Sequence, residues 1–367
     1  MFKQRFILLA NRGIFKLANK LSPSARKSRA RFETLRARFY QQFWEYSAAT
    51  IGADLENLND NWWLVKKDQN CTFLHGERVM LDSSVTLELA GNKALIYRLL
   101  EEDGYPVPQS QLFSLDTLDE ALKFQNGFND DIDRDVVVKP MSSWAGQGVT
   151  VNIKTPETLK KAALYAARFD DNLLIEKHIE GDSYRLLFLN GELIDAVRRD
   201  PPQVLGDGKL NIKQLIAKEN ERRLNSKEII ALSPISIDTD CKRTLKEQQL
   251  SLASIPAKNE SITIKKVVNH NNRFENHVVK DQVHEDIILQ GREICKRYRI
   301  ELAGLDIIST DISKPLSETG GVINEINTTP GLHHHALVSD QNKTHVNKTL
   351  VGSLVLDYML KQHPIIR

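Results

Sequence analysis

Cysteine is scarce in this sequence, and its spacing does not suit metal or disulfide chemistry. Of 367 residues only three are cysteine, Cys71, Cys241 and Cys295, and no two of them form a Cys-x-x-Cys pair. An odd number of scattered cysteines argues against a zinc site and against a disulfide framework. It fits a reducing compartment, so we expect the protein in the cytoplasm.

Long apolar runs are also missing. The apolar stretches are far too short to cross a bilayer, and Phe6–Ala10 is too brief for the core of a signal peptide. No Walker A phosphate loop and no convincing nucleophile–histidine–acid triad stands out. We therefore expect no membrane span and no covalent hydrolase chemistry.

The pattern of elements predicts a mixed α/β (α+β) protein. Short apolar strands alternate with helical stretches such as Pro156–Phe169, and 367 residues allow two or three subdomains around a sizeable core. Charge is unevenly distributed. Residues 1–40 hold eleven Lys or Arg and one acid, Glu33, which is +10 against a total of +2, so the remainder carries about −8.

The basic segment has two interpretations. Ala25–Trp44 looks like a basic helix, and it can pack on its own acidic body or bind an anionic polymer or membrane surface. No RNA-binding or DNA-binding motif supports a nucleic-acid partner.

Two segments near the C-terminus place oxygen ligands on apolar strands. Asp306 follows the run Leu-Ala-Gly-Leu, and Glu325 and Asn327 lie two residues apart in Val-Ile-Asn-Glu-Ile-Asn. Residues two apart on a strand share a face, so Glu325 and Asn327 point the same way. Two carboxylates and an amide oxygen suit magnesium, which takes further ligands from water and nucleotide phosphate.

A second pattern predicts an anion-binding hairpin. The strand Asp135-Val-Val-Val ends in Lys139, and Ser142, Ser143, Gly146 and Gly148 follow before the next strand. Serine and glycine let backbone N–H groups approach an anion, and the lysine adds a charge. Further on, an apolar strand ends at Glu176, and Asn190-Gly191 predicts a hairpin turn between two more strands.

These segments, in this order, resemble the ATP-grasp family of ligases, most closely the ATP-grasp part of the cyanophycin synthetases and then that of bifunctional glutathione synthetase. The resemblance runs from about Phe39 to His335. It implies an ATP-grasp fold with an N-terminal domain, a small central lid domain and a C-terminal ATP- and metal-binding domain. The ranges we expect are a basic arm or helix at 1–40, an N-terminal region at 41–110, a lid at 111–190 and a C-terminal part at 191–367 with a substrate loop insertion at 200–285.

The resemblance also implies a role for each matching residue. Two Mg²⁺ ions, for which Mn²⁺ can substitute, would be bound by Asp306, Glu325 and Asn327. ATP would be held by Lys93, Lys139, Ser142, Ser143, Gly146, Gly148, Glu176, Lys177, Ile179 and Asp182. The reacting groups would face Arg185, Arg199 and Lys139. The other substrate would meet Asn269, Arg273 and His335.

Departures from the family pattern concern the substrate side. Arg273 and Phe274 stand where the relatives have glycines, Val278 stands where they have an aspartate, and Ser183 replaces an acid. These changes predict a different carboxylate or amine. The chain also ends soon after the motif, without the second, Walker-A-bearing ligase domain of cyanophycin synthetases, so we do not expect it to complete cyanophycin synthesis alone.

The function expected from the resemblance is ATP-dependent ligation of a carboxylate to an amine through an acyl phosphate, with amino acids or small peptides as substrates. A glutathione-synthetase-like or D-amino-acid ligase, and a nucleotide-binding regulatory or scaffold protein, are the alternatives. A homo-oligomer is compatible with the resemblance, and no interface pattern in the sequence selects its size.

Overall fold

The computed structural model describes residues 23–128, 135–142, 146–269, 271–339 and 341–362. The strands in chain order are β1 Asp54–Asn57, β2 Trp62–Lys67, β3 Asn70–His75, β4 Arg78–Val79, β5 Ser110–Phe113, β6 Val136–Pro140, β7 Thr150–Ile153, β8 Leu173–Lys177, β9 Asp182–Leu189, β10 Glu192–Arg199, β11 Gln203–Leu205, β12 Ser261–Thr263, β13 Asn276–Val278, β14 Leu302–Ser309 and β15 Val322–Asn327.

The α-helices in chain order are α1 Pro23–Ile51, α2 Ser84–Gly91, α3 Lys93–Glu102, α4 Leu118–Asn126, α5 Pro156–Ala166, α6 Ile212–Asn225, α7 Thr239–Glu247, α8 Glu285–Tyr298, α9 Leu316–Thr319, α10 His333–Ala336 and α11 Gln341–Gln362. Among the described residues, no helix combines the length and the apolar character needed to cross a bilayer.

The strands of the described residues form four sheets. An antiparallel sheet of β1–β4 lies near the N-terminus, and a second has the order β5-β8-β6-β7. The largest has the order β13-β10-β9-β14-β15, and β11 and β12 form a small pair. This mixture of helices and antiparallel sheets confirms the predicted fold class.

Local sequence explains several elements directly. Asn190 and Gly191 both adopt positive φ, at 50° and 75°, which suits the tight hairpin turn predicted between β9 and β10. The predicted helix from Pro156 begins there because the Thr155 side chain accepts a hydrogen bond from the Thr158 amide and proline occupies the first turn.

The basic helix is longer than expected and is anchored in the core. It runs to Ile51, so the predicted boundary at residues 40 and 41 falls inside it. Its aromatic face is buried in a cluster with α11, the β1–β4 sheet and the end of β9, led by Phe39, Phe43 and Trp44. Burial of apolar surface stabilises a fold by about 25 cal/mol per Å². This packing therefore holds the helix in place although its sequence shows only a weak amphipathic pattern. The first 22 residues of the predicted arm lie outside the described residues.

The predicted division at residue 190 does not match the sheets. β9 pairs with β10 and β14, so Asp182–Leu189 belongs to the sheet β13-β10-β9-β14-β15, here called the C-terminal sheet. It does not belong to the sheet β5-β8-β6-β7, here called the lid sheet. The chain passes from the lid sheet to the C-terminal sheet at Gly181, where φ is 141° and an added Cβ would lie 2.4 Å from the Ser309 backbone. Only glycine permits so close an approach, and it was the overlooked signal.

The segment after β10 forms a small subdomain within the predicted insertion. The pair β11–β12 packs with α6 and α7 around its own apolar cluster, which includes Val204, Ile216, Leu245 and Ile262. Arg243 on α7 donates to the Val151 carbonyl on β7 at 2.5 Å. The insertion therefore rests against the glycine-containing hairpin of the lid.

Candidate active site

A row of three charged side chains crosses the middle of the C-terminal sheet. Asp306 on β14 lies opposite Arg185 on β9 and opposite Glu325 on β15. Two carboxylates directly opposite each other on neighbouring strands repel unless nearby cations offset their charge. The sheet register therefore creates a local demand for positive charge at this place.

Two buried guanidinium groups meet that demand on one side. Arg185 donates through Nε and Nη2 to Asp306, with the Nη2–Oδ2 distance at 2.7 Å, and Arg199 on β10 approaches the same Oδ2 at 3.2 Å. Burial opposes ionisation of Asp306, but the two guanidiniums outweigh it and hold its pKa below the usual value. Asp306 is thus a carboxylate at neutral pH.

A lysine meets the demand on the other side. Lys93, the first residue of α3, places Nζ 2.9 Å from Glu325 Oε1. The helix starts there because the Asn92 side chain accepts a hydrogen bond from the Leu95 amide. Asn327 uses Nδ2 to donate to the Gly304 carbonyl at 3.4 Å, which leaves its amide oxygen available.

The donor set fits the expected cation. Asp306 and Glu325 face each other across the β14–β15 pair, and Asn327 lies on the Glu325 face two residues on. Carboxylate and amide oxygens, few in number, suit an ion that completes its shell with water and phosphate. In the structure the positive charge beside these carboxylates comes from Lys93, Arg185 and Arg199, so a cation would compete with those pairs.

A second buried polar centre lies beside the first. Lys139 on β6 contacts Glu176 on β8 at 2.5 Å, and both side chains are buried. Lys139 also donates to the Tyr97 hydroxyl at 3.2 Å, and that hydroxyl donates to the carbonyl of Asn324. Tyr97 therefore connects the lid lysine to the strand that carries Glu325.

Tyr97 was absent from the sequence-based prediction, although a signal was present. It follows Lys93 by four residues in α3, a spacing that puts two side chains on one face of a helix. Burial raises the pKa of Tyr97 well above its usual value, and the nearby carboxylates of Glu176 and Glu325 add to this effect. The hydroxyl consequently stays protonated and can donate.

The predicted phosphate loop is described in part. Ser142 is exposed, and its amide donates to Asp170 at 2.9 Å, whereas Ser143 lies outside the described residues. Gly146 and Gly148 have φ values of 67° and 77°. An added Cβ on Gly146 would lie 2.7 Å from the Asn269 side chain, so the hairpin contacts the segment expected to face the substrate.

The predicted adenine segment begins beside the second polar centre. Glu176 is buried, while Lys177 and Ile179 are half-buried at the end of β8. Asp182 is exposed and lies 3.9 Å from Arg198. Ser183, expected from the resemblance to be a departure from the family pattern, accepts a hydrogen bond from Arg199 at 3.0 Å and so helps to hold this arginine beside Asp306.

Two predicted substrate residues pair with acids that do not belong to the charged row. Arg273 is buried and donates to Glu228 at 2.8 Å beside a cleft of about 600 Å³ between α1 and residues 227–229. His335 is fully buried and pairs with Asp195 at 2.8 Å. In this structure neither side chain is brought to Asp306, and their substrate roles stay predictions.

The three consecutive histidines form a helical turn. His333–Ala336 is α10. The turn packs on α1, where the Tyr40 hydroxyl lies 2.9 Å from His333 Nδ1 and Phe39 meets the ring edge-on. Strand and helix periodicity in the sequence does not reveal this tertiary contact. Asp195, an acid within the apolar strand β10, was the overlooked partner of His335.

Comparison with known proteins finds relatives that match about two thirds of the chain. The chain is 29% identical over 256 residues to cyanophycin synthetase from Trichormus variabilis, covering 69% of this chain and 28% of the relative. It is 28% identical over 257 residues to the glutathione biosynthesis bifunctional protein from Clostridium perfringens, covering 69% and 32%. The chain thus spans about a third or less of the length of these relatives. No protein-family model matches it.

A solved structure shares the fold. The crystal structure of a bifunctional glutathione synthetase from Pasteurella multocida superposes with a TM-score of 0.55 at 24% identity, covering 88% of this chain and 43% of that one. The sequence relatives and this shared fold agree with the earlier resemblance. The chain is therefore an ATP-grasp protein related to cyanophycin synthetase.

Proposed function

We propose that this chain is an ATP-dependent ligase that joins a carboxylate to an amine and releases ADP and phosphate. The observation that carries the proposal is the cross-strand row of Arg185, Asp306 and Glu325, flanked by Lys93 and Arg199. A sheet centre with paired carboxylates and several cations suits phosphoryl transfer, which depends on positioning and charge neutralisation. Amino acids or small peptides are the proposed substrates.

The first step transfers the γ-phosphoryl group of ATP to the substrate carboxylate. Lys93 and Lys139 would orient phosphate oxygens, and Arg185 and Arg199 would hold the carboxylate. Magnesium, when bound by Asp306, Glu325 and Asn327, would supply further charge neutralisation, with manganese as the expected substitute. Lys93, Arg185 and Arg199 are paired with Glu325 and Asp306 in this structure, so they would exchange these carboxylates for phosphate and substrate oxygens when the cation binds.

The second step is attack of the amine on the acyl phosphate, with loss of phosphate. An acyl phosphate hydrolyses in water, so the site must exclude solvent while it exists. The glycine-containing hairpin between β6 and β7 would provide that cover, and its contact with the Asn269 segment closes it from the insertion side. The arginines of the row would stabilise the oxyanion that develops in the transition state.

Phosphate release from ATP tests the proposal. We would measure it with magnesium across amino acids and short peptides, singly and in pairs. The Glu325→Ala variant should lose several powers of ten in turnover, because metal charge stabilisation contributes several kcal/mol. Glu318→Ala is the matched control, since Glu318 is an exposed acid in the connection between β14 and β15.

Two outcomes would count against the ligase. Equal turnover in the wild type and Glu325→Ala would reject the carboxylate row as the site. Binding of ATP with no substrate-dependent phosphate release would favour the nucleotide-binding regulatory or scaffold alternative. A strict requirement for glutathione precursors or D-amino acids would instead select one of the other ligase alternatives.

The proposal also includes a cellular compartment, an oligomeric state and a partner for the basic helix. A supply of ATP favours the cytoplasm as the place of reaction. A homo-oligomer and an anionic partner for the basic helix remain proposals. Arg31 of that helix lies 3.4 Å from Glu221 on α6, and Arg36 lies 3.0 Å from Glu77, so acids of the same chain already neutralise part of its charge.

A further inference from the structure

The three histidines of α10 have different surroundings. His333 Nδ1 lies 2.9 Å from the Tyr40 hydroxyl, and His335 Nδ1 lies 2.8 Å from Asp195 Oδ2. His334, between them, has no hydrogen-bond partner for either ring nitrogen among the described residues, and its side chain is only half-buried. The outer histidines therefore fix the turn and leave the middle imidazole free to act on a ligand.

Packing places His334 close to the charged row. A Cβ added to Gly331 would lie 3.4 Å from His334 Cδ2. The preceding Pro330 packs at Gly304, where an added Cβ would lie 2.8 Å from the proline and 3.1 Å from Arg185 Cδ. Pro330 and Arg185 both occupy the space beside Gly304, so the segment that leads into His334 lies next to the arginine that holds Asp306.

The groups that act on His334 keep it neutral. Burial lowers the pKa of His334 well below its usual value, and the neighbouring His333, Arg199, Arg185 and His335 lower it further. None of these neighbours is an acid. Phosphate anions bound beside the two arginines would offset their charge and make the imidazole more basic during the reaction.

The proposed ligation needs such a group. An amine attacks as the free base, and forming an amide releases a proton. Lys93, Arg185 and Arg199 are cations, and the carboxylates of Asp306 and Glu325 are assigned to the metal. We propose that His334 is the general base that takes the proton from the attacking amine. This inference rests on the proposed ligase function and adds the residue that serves its second step.

The step balances without a further reactant. The amine nitrogen forms a bond to the acyl carbon as its proton passes to an open nitrogen of the His334 ring. The carbon–oxygen bond to the phosphoryl group then breaks, and phosphate leaves with the electron pair. The imidazolium afterwards returns its proton to solvent through its exposed side. General base catalysis of this kind contributes about 10²- to 10⁴-fold in rate.

Hydroxylamine separates the two steps. It is largely unprotonated at neutral pH, so it captures an acyl phosphate as a hydroxamate without needing a base. We would measure hydroxamate formation and amide formation over the same substrate panel, in the wild type and in His334→Gln. We expect amide formation to fall about 10²-fold or more, with hydroxamate formation reduced less than about threefold. His75→Gln, a histidine stacked on Trp62 in the N-terminal sheet, is the matched control.

The pH dependence supplies a second readout. Protonation of the amine itself gives both proteins an acidic limb in the rate of amide formation. The wild type should show a further fall in rate at low pH that is absent in His334→Gln, and added imidazole should restore part of the rate of the variant. A parallel fall of hydroxamate and amide would assign His334 to structure or substrate binding and overturn the inference. Unchanged amide formation would also overturn it.

Failure of the ligase proposal gives a different result. In that case the wild type would form no hydroxamate with any carboxylate of the panel, and both proposals would fall together. Hydroxamate in the wild type, followed by either contrary result for His334→Gln, would reject the general base alone. Unaltered thermal unfolding of the variant would show that the fold is intact.

Discussion

Two buried carboxylates in this chain titrate in opposite directions. Asp306 in the charged row and Glu275 in the substrate loop are equally buried, at 6% and 7% exposure. The pKa of Asp306 lies below its usual value, whereas burial raises the pKa of Glu275 to about 7. Burial alone therefore does not decide whether a carboxyl group of this protein is charged.

Contact with guanidinium groups makes the difference. Asp306 has Arg185 and Arg199 within 3.2 Å. Glu275 has Arg223 at 3.9 Å and accepts hydrogen bonds from two backbone amides and from the Asn272 side-chain amide. Direct, charge-assisted hydrogen bonds outweigh the desolvation penalty, and a more distant charge does not. The charged row is thus built to keep its carboxylate ionised, while the loop is built to tolerate a neutral one.

The largest effect is expected from Asp306→Asn. Removing the anion would leave two buried guanidiniums without a counter-charge, which should cost about 3–5 kcal/mol in the free energy of unfolding. Turnover should fall by several powers of ten because a proposed metal ligand is lost. Urea unfolding checks the first effect, with the exposed Asp182→Asn as control. A loss below about 1 kcal/mol would show that solvent reaches these arginines.

A smaller effect is expected at Glu275, where ionisation of the carboxyl group destabilises the fold. A carboxyl whose pKa rises on folding binds more protons in the folded state, so stability falls as pH increases from about 4.5 to about 7. This rise corresponds to about 3 kcal/mol. In Glu275→Gln, the free energy of unfolding should fall less over this range, by about that amount. Identical pH slopes in the two proteins would mean that Glu275 is already ionised in the fold.

The smallest effect is expected at Tyr97, whose neutral hydroxyl accepts a hydrogen bond from the lysine of the buried Lys139–Glu176 pair. Tyr97→Phe removes the hydroxyl between Lys139 and the Asn324 carbonyl, which should cost about 1 kcal/mol in unfolding free energy. Turnover should fall about tenfold through less accurate positioning of Lys139. Tyr105→Phe is the control, since its hydroxyl bonds the exposed Glu293. Equal losses of turnover in Tyr97→Phe and Tyr105→Phe would show that the Tyr97 hydroxyl has no specific role in positioning Lys139.

Several features of the site were predictable because they depend on neighbours in the sequence. Glu325 and Asn327 share a face because strands alternate, and Asn190-Gly191 forms the hairpin because both residues tolerate positive φ. The same local logic predicted Lys139 at the end of a strand before a glycine loop. The residue roles assigned through the family resemblance remain predictions.

Other features could not be read from neighbours along the chain. Tyr97 meets Lys139 only because α3 packs against both the lid and β15, and His335 meets Asp195 only because α10 lies on β10. The substrate loop shows the same limit. Arg273 was expected to face the substrate, yet it pairs with Glu228 and not with a group of the charged row.

Residues close together in the chain were enough to predict the alternation of strands and helices, the tight turns and the proposed oxygen ligands, because each depends on backbone preferences or side-chain chemistry within a few residues. The tertiary structure decided which charges meet. The register that sets Arg185, Asp306 and Glu325 in one row joins residues more than a hundred positions apart, and it arises from the pairing of β9, β14 and β15. Long-range pairing of this kind follows from burial of the whole sheet, which no local pattern contains.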